Sequence, residues 1–172
     1  MNQTEIADAL FAIHFAADRS KRYHAHRLAD HRFLITLIQI INCAVASVAF
    51  VGVLEGWPLV KSSVSILAAI LSAIAAYQCL SKKIESHADK KARFGDLKTM
   101  LPVDLEKGTE EMLAKIIAAR EAIEKDDSHG FPCLDILTHN EECFARGQEA
   151  DVKSLNWWQR WIGCHILPIP YN

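Results

Sequence analysis

Uncharged residues run without interruption from Phe33 to Leu54 and again from Ser62 to Leu80. The runs are 22 and 19 residues long and contain no Asp, Glu, Lys, Arg, His or Pro. A helix needs about 20 predominantly apolar residues to cross the hydrocarbon core of a bilayer. The joining segment, Glu55-Gly-Trp-Pro-Leu-Val-Lys61, carries two breakers and an aromatic suited to an interface. The pattern predicts a transmembrane helical hairpin. Two buried helices of a soluble bundle are the alternative that an all-round apolar pattern also permits. The flanks argue for the membrane. Arg19, Lys21, Arg22, Arg27 and Arg32 precede the first run, and Lys82, Lys83, Lys90, Lys91, Arg93 and Lys98 follow the second, whereas the tip holds only Lys61. This asymmetry predicts that both termini are cytoplasmic.

Neither Gly nor Pro occurs between Met1 and Val51, or between Leu59 and Phe94. Both hairpin helices are therefore expected to continue beyond the bilayer. A first helix over residues 4–54, capped by Thr4, would be about 75 Å long at 1.5 Å per residue. Its Ile6, Leu10, Ile13 and Ala17 stripe has helical spacing and predicts a packed face. Pro102 and the Leu101–Gly108 stretch end the second helix. Thr109 opens a third, Glu110–Lys125, with an apolar face of Met112, Leu113, Ile116, Ile117, Ala119 and Ile123, closed by Asp126–Gly130. Pro132 suits the first turn of a fourth, running to about Arg146 before Gly147. No strand-like alternation or internal repeat is present. The expected fold is an all-α integral membrane protein. An N-terminal cytosolic helix (1–32) leads to the hairpin (33–80, helices 33–54 and 62–80), followed by a cytosolic stalk and small helical domain (81–172).

The net charge of −2 and mean hydropathy of +0.06 average these unlike parts together. Outside the hairpin remain about 130 residues, enough for one small helical domain. No short apolar stretch with a small-residue cleavage site precedes residue 33, so the hairpin itself is expected to direct insertion. Cys43, Cys79, Cys133, Cys143 and Cys164 are odd in number and form no CxxC pair. With two in the hairpin and three facing a reducing cytosol, structural disulfides are not expected.

A basic-flanked hairpin, a long charged helix, a helix containing Arg120 and Ala122-Ile-Glu124, and then Leu137-Thr-His-Asn-Glu141 resemble the SLATT domain family over about residues 5–170. Architecture carries more of the likeness than any single motif, and His139-Asn140-Glu141 is its most distinctive piece. The resemblance implies a two-transmembrane effector of antiphage defence, a homo-oligomer whose pore or ion channel depolarises the membrane in abortive infection. It also implies a nucleotide-derived signal or partner protein as trigger, with a genetically linked nucleotidyltransferase or other sensor. A non-conducting adaptor that recruits a cytosolic partner is the alternative.

Several residues could carry that activity. At 100° per residue, Thr36, Gln39, Asn42, Cys43, Ala46, Ser47 and Phe50 fall on one arc of the first membrane helix. Gln39 and Asn42 serve either as interhelical hydrogen-bond glue or as a polar pore lining, and both uses require several copies; a tetramer is the expected number. The second helix has small residues Ser62, Ser65, Ala69, Ser72, Ala73 and Ala76 along one side, suited to close packing, with Ile66, Leu67, Ile70, Leu71 and Ile74 opposite, toward lipid. Arg19, Lys21, Arg22 and Arg27, opposite Lys83, Lys90, Lys91 and Arg93, set topology and attract anionic lipid, or form a surface for a nucleotide or oligonucleotide. His129, Cys133, His139 and Cys143 have a metal-like composition. Pro132 disrupts the first pair's spacing and no CxxC anchors a site, so no metal is expected and packing or capping is assigned to His139 and Asn140. Trp157, Trp158 and Trp161 either lie in the headgroup layer or close the cytosolic core. No phosphate loop, GxSxG or HExxH occurs, so neither enzymatic chemistry nor a cofactor is expected.

Overall fold

The computed structural model describes residues 1–54, 59–125 and 130–171, with the backbone alone at 45, 46, 48–54, 59–69, 71 and 75. Four α-helices carry the fold: α1 (Gln3–Leu54), α2 (Leu59–Thr99), α3 (Glu110–Glu124) and α4 (Pro132–Ala145). No strand occurs among the described residues, so the protein is all-α. Two compact units divide it, one of residues 1–27 and 87–172, the other of residues 28–86.

The first unit is built on the apolar stripe of α1. Ile6, Leu10, Ile13 and Ala17 are buried against Phe94 and Leu97 of α2 and Leu113, Ile116 and Ile123 of α3. Positions spaced three and four apart share one helix face, so a single side of α1 meets both neighbours. A second cluster joins Tyr23 of α1 to Cys133 and Leu134 of α4 and to Cys164, with Phe131, Leu137, Leu155 and Ile169 around it. Between the clusters, His24 stacks on Phe94 with ring centres 5.7 Å apart, and its Nδ1 lies 3.0 Å from Nδ1 of His87.

The helix ends follow local chemistry, with one correction. Asn2, not Thr4, caps α1. Its Oδ1 accepts from the Glu5 amide at 2.8 Å while Glu5 Oε2 accepts from the Asn2 amide at 2.9 Å, a reciprocal capping box that leaves Thr4 inside the first turn. Thr109 caps α3 through the Met112 amide, and Pro132 stands in the first turn of α4. Gly147 follows α4 with φ at 70°, a left-handed conformation natural to glycine. Beyond it the chain makes a 3₁₀ turn (Glu149–Asp151), and after a non-helical stretch a short π-helical turn (Gln159–Gly163). The proposed Asp126–Gly130 terminator lies outside the described residues except for Gly130.

In the second unit, Phe33, Leu34, Leu37, Ile40, Ile41, Ile70, Ile74 and Tyr77 are exposed. Among the described residues no helix is long and apolar enough to cross a membrane. Much of both apolar runs, and the tip at 55–58 with Trp57, lies outside the residues whose side chains are described.

The start of α1 is tied to the α2–α3 connection. Gln3 Nε2 donates to the carbonyls of Gly108, at 3.0 Å, and Glu106, and the Met1 ammonium pairs with Glu110. A Cβ added at Gly108 would stand 2.2 Å from Cδ1 of the fully buried Leu10. Gly108→Ala should therefore lower unfolding stability by about 1–3 kcal/mol, as overpacked cores do, measured from the denaturant midpoint.

Candidate functional site

One face of α1, with Asp18, Lys21, Arg22 and Ala25 spaced by three and four, combines with Lys91 of α2 to line a surface cavity of about 250 Å³. Its acidic floor is already neutralised. Asp18 accepts from Lys98 Nζ at 3.0 Å and from Arg146 Nη2 at 3.1 Å, and His14 lies 3.4 Å from it. Arg22 Nε donates at 3.0 Å to Glu142, whose other oxygen takes Arg146 Nε at 2.5 Å. Glu142 is buried, and the Arg146 guanidinium lies over the rings of Phe11 and Phe15, 5.1 and 5.5 Å from their centres. Counted with the ion-pair partners of its lining residues, the site holds five cations, Lys21, Arg22, Lys91, Lys98 and Arg146, against two carboxylates, Asp18 and Glu142. Lys21 and Lys91 have no ion-pair partner among the described residues, so the cavity carries surplus positive charge suited to an anion.

The remaining basic candidates are placed differently. Arg19 is paired with Asp135, with Nε 3.6 Å from Oδ1. Arg27 lies 3.9 Å over the Phe131 ring and reaches the His165 carbonyl at 3.5 Å. Arg93 donates to the Ala122 carbonyl at 3.2 Å and borders a separate, largely apolar cavity with Leu97, Met100 and Ile123. Lys90 is not free, and the exposed Lys83 belongs to the other unit. Of the eight predicted anion-binding residues, Lys21, Arg22 and Lys91 meet at one cavity. Asp18 lines it with them, and Glu142 and Arg146 bond to its Arg22 and Asp18; none of these three is among the sequence candidates. Their only sequence signal is the i,i+4 spacing of Glu142 and Arg146, which is common on solvated helices.

On the arc of the first apolar run, Thr36 and Ser47 turn their hydroxyls to the helix's own carbonyls, at Arg32 and Cys43. Gln39 and Cys43 are exposed and Asn42 is half-buried, whereas the side chain of Phe50 lies outside the described residues. Among the described residues the amides of Gln39 and Asn42 have no hydrogen-bond partner. On the second run, Ile70 and Ile74 are exposed and Ala73 and Ala76 half-buried; Ser62, Ser65, Ile66, Leu67, Ala69 and Leu71 lie outside the described side chains.

His139 and Asn140 have structural work. The Asn140 side chain donates to the Lys153 carbonyl at 2.6 Å and accepts its amide at 2.8 Å, which fastens the segment after α4. His139 packs edge-on to Phe15, 5.3 Å between ring centres, and its Nε2 lies 3.2 Å from the Asp151 carbonyl and 3.4 Å from Cys143 Sγ. Burial pushes the Cys133 and Cys143 thiols above their ordinary range, which disfavours the thiolate a metal ligand needs. Cys133 Sγ instead donates to the Ile169 carbonyl. No group of three or more candidate metal ligands occurs among the described residues, and His129 lies outside them.

No protein family, curated protein or solved structure matches the chain.

Two measurements test this site. Replacing Lys21 and Lys91 by Gln should weaken binding of a short single-stranded oligonucleotide several-fold. It should also flatten the logarithmic salt dependence by about 0.7 per lysine removed, read by titration at several ionic strengths. The second is pH dependence. Burial lowers the pKa of His14, so the unfolded chain binds that proton more readily. The hydrogen bond from His26 likewise lowers the pKa of Glu141. Both contributions are present at neutral pH; the His14 part fades as pH falls from about 6.5 toward its folded value, the Glu141 part at more acid pH. Thermal melts should show this loss, and His14→Gln should remove its first phase.

Proposed function

We propose that this protein is an oligomeric ion-conducting effector of the bacterial cytoplasmic membrane, with both termini in the cytoplasm, gated through its helical unit by a phosphate-bearing signal. The observation that carries the reading is the pairing of two uncharged runs, 22 and 19 residues long, with the exposed apolar side chains Phe33, Leu37, Ile40, Ile41, Ile70 and Ile74. Exposed apolar side chains in this number call for lipid or for further copies of the chain. Gln39 and Asn42 supply the second requirement. An amide facing hydrocarbon needs a partner, and bonds between neighbouring copies are worth about 0.6–2 kcal/mol each. A ring of such amides, in a tetramer as we take it, would both hold the assembly and line a water-filled path.

The cavity bounded by Lys21, Arg22 and Lys91 supports an anionic trigger, because two lysines remain uncompensated while the surrounding carboxylates are spent. A nucleotide or oligonucleotide has the required phosphates, and a nucleotidyltransferase encoded nearby would be its source. Such a ligand shifts the gate only by its difference in affinity for the closed and open forms. The resemblance to SLATT effectors supports the same role in antiphage defence, with depolarisation and growth arrest as the outcome.

Conductance of the purified chain in planar bilayers tests the proposal. Ion current that responds to oligonucleotide is expected, and Gln39→Leu with Asn42→Leu should reduce it severely while leaving membrane extraction behaviour unchanged. Absence of current in every condition would favour a non-conducting adaptor. Release of the chain from membranes by alkaline carbonate would overturn the membrane reading itself.

A further inference from the structure

The three tryptophans after α4 are not core residues. Trp157, Trp158 and Trp161 are 62%, 52% and 70% exposed, and Ile166 and Leu167 just beyond them are 66% and 56% exposed. Of the two placements the sequence leaves open, this exposure argues against closing the cytosolic core. The segment that presents them is nevertheless firmly folded. Gly163 and Cys164 are buried, and a Cβ on Gly163 would stand 2.9 Å from Cys133 Sγ, so the turn lies flush on α4. The Asn156 and Gln159 side chains each take the other's backbone amide, at 2.8 and 3.1 Å, closing the turn from which the indoles project. The Trp157 and Trp158 rings stack at 3.9 Å. Five large apolar groups are thus held outward by a built scaffold.

We infer that this surface docks into the headgroup layer of an anionic bilayer, through Trp157, Trp158 and Trp161 with Ile166 and Leu167. Charge favours lipid as the occupant. After Asp151 the chain carries Lys153 and Arg160 and no acidic side chain. Anionic headgroups are the matching partner for these two cations. Indole favours this layer because its ring is apolar and its N–H reaches water and phosphate. The Arg27 guanidinium holds the segment at the His165 carbonyl. The inference rests on the membrane reading for its bilayer, and the surface gives the helical unit a second hold on the lipid, independent of the hairpin.

The test uses the full chain with Trp57→Phe, so that only the three C-terminal indoles fluoresce. It is reconstituted into phosphatidylglycerol–phosphatidylethanolamine vesicles with lipids brominated either near the headgroup or near the chain end. Blue-shifted emission that loses most of its intensity to shallow bromines, and less to deep ones, is expected. Emission of water-exposed indole, unquenched while the protein still floats with the vesicles, overturns the docking and leaves the hairpin intact. A blue shift without quenching by either lipid assigns the surface to contact between copies and also overturns it. Failure to float removes both readings. Trp157→Ser with Trp158→Ser and Trp161→Ser should keep the helical circular dichroism, since all three are exposed, and should lose the quenched signal entirely.

Discussion

Glu142 is the charge on which the helical unit turns. It is buried on α4, which is tolerable only because Arg22 of α1 and Arg146, at the cap just past the end of α4, satisfy its two oxygens. Arg146 extends the same hold to Asp18 of α1, where Lys98 of α2 also arrives. Three helices are thereby registered by charged groups in partly dry surroundings, where removing one partner would strand another. Packing of the α1 stripe against Phe94, Leu97 and Ile116 gives cohesion without direction, and the ion network supplies the register.

That network also decides which cations remain available. Arg19, Arg22 and Arg93 are committed to carboxylates or carbonyls, and Arg27 to Phe131 and the terminal segment. Lys21 and Lys91 are left beside a cavity whose one lining carboxylate, Asp18, is already matched by Lys98 and Arg146. An arriving phosphate there would have less internal pairing to displace than at any of the arginines. The proposed signal site is in this sense a remainder: the positive charge that folding does not consume.

Most of the helical layout was legible in the chain. The Ile6, Leu10, Ile13 and Ala17 face, the Thr109 cap, Pro132 in a first turn and Gly147 as a stop each express a rule that acts within a few residues. The miscast cap at Thr4 has a similarly local cause. Asn2 and Glu5 satisfy each other's amides one turn earlier than a threonine hydroxyl would. The site was less legible. Eight basic residues were candidates on charge alone, but which of them are neutralised depends on carboxylates more than 100 residues away, as with Arg22 and Glu142. Their pairing has no periodic signature.

The chain by itself determined that this is a helical protein, with two uncharged runs between basic flanks, because helix formation and apolar patterning follow from neighbouring residues. The tertiary structure alone decided that Lys21 and Lys91 share a cavity with Arg22, that Asn140 fastens Lys153, and that three tryptophans face outward from a buried turn. Those outcomes depend on which distant side chain reaches a given group first in space, and on how much water remains around it afterwards. Sequence spacing carries neither quantity.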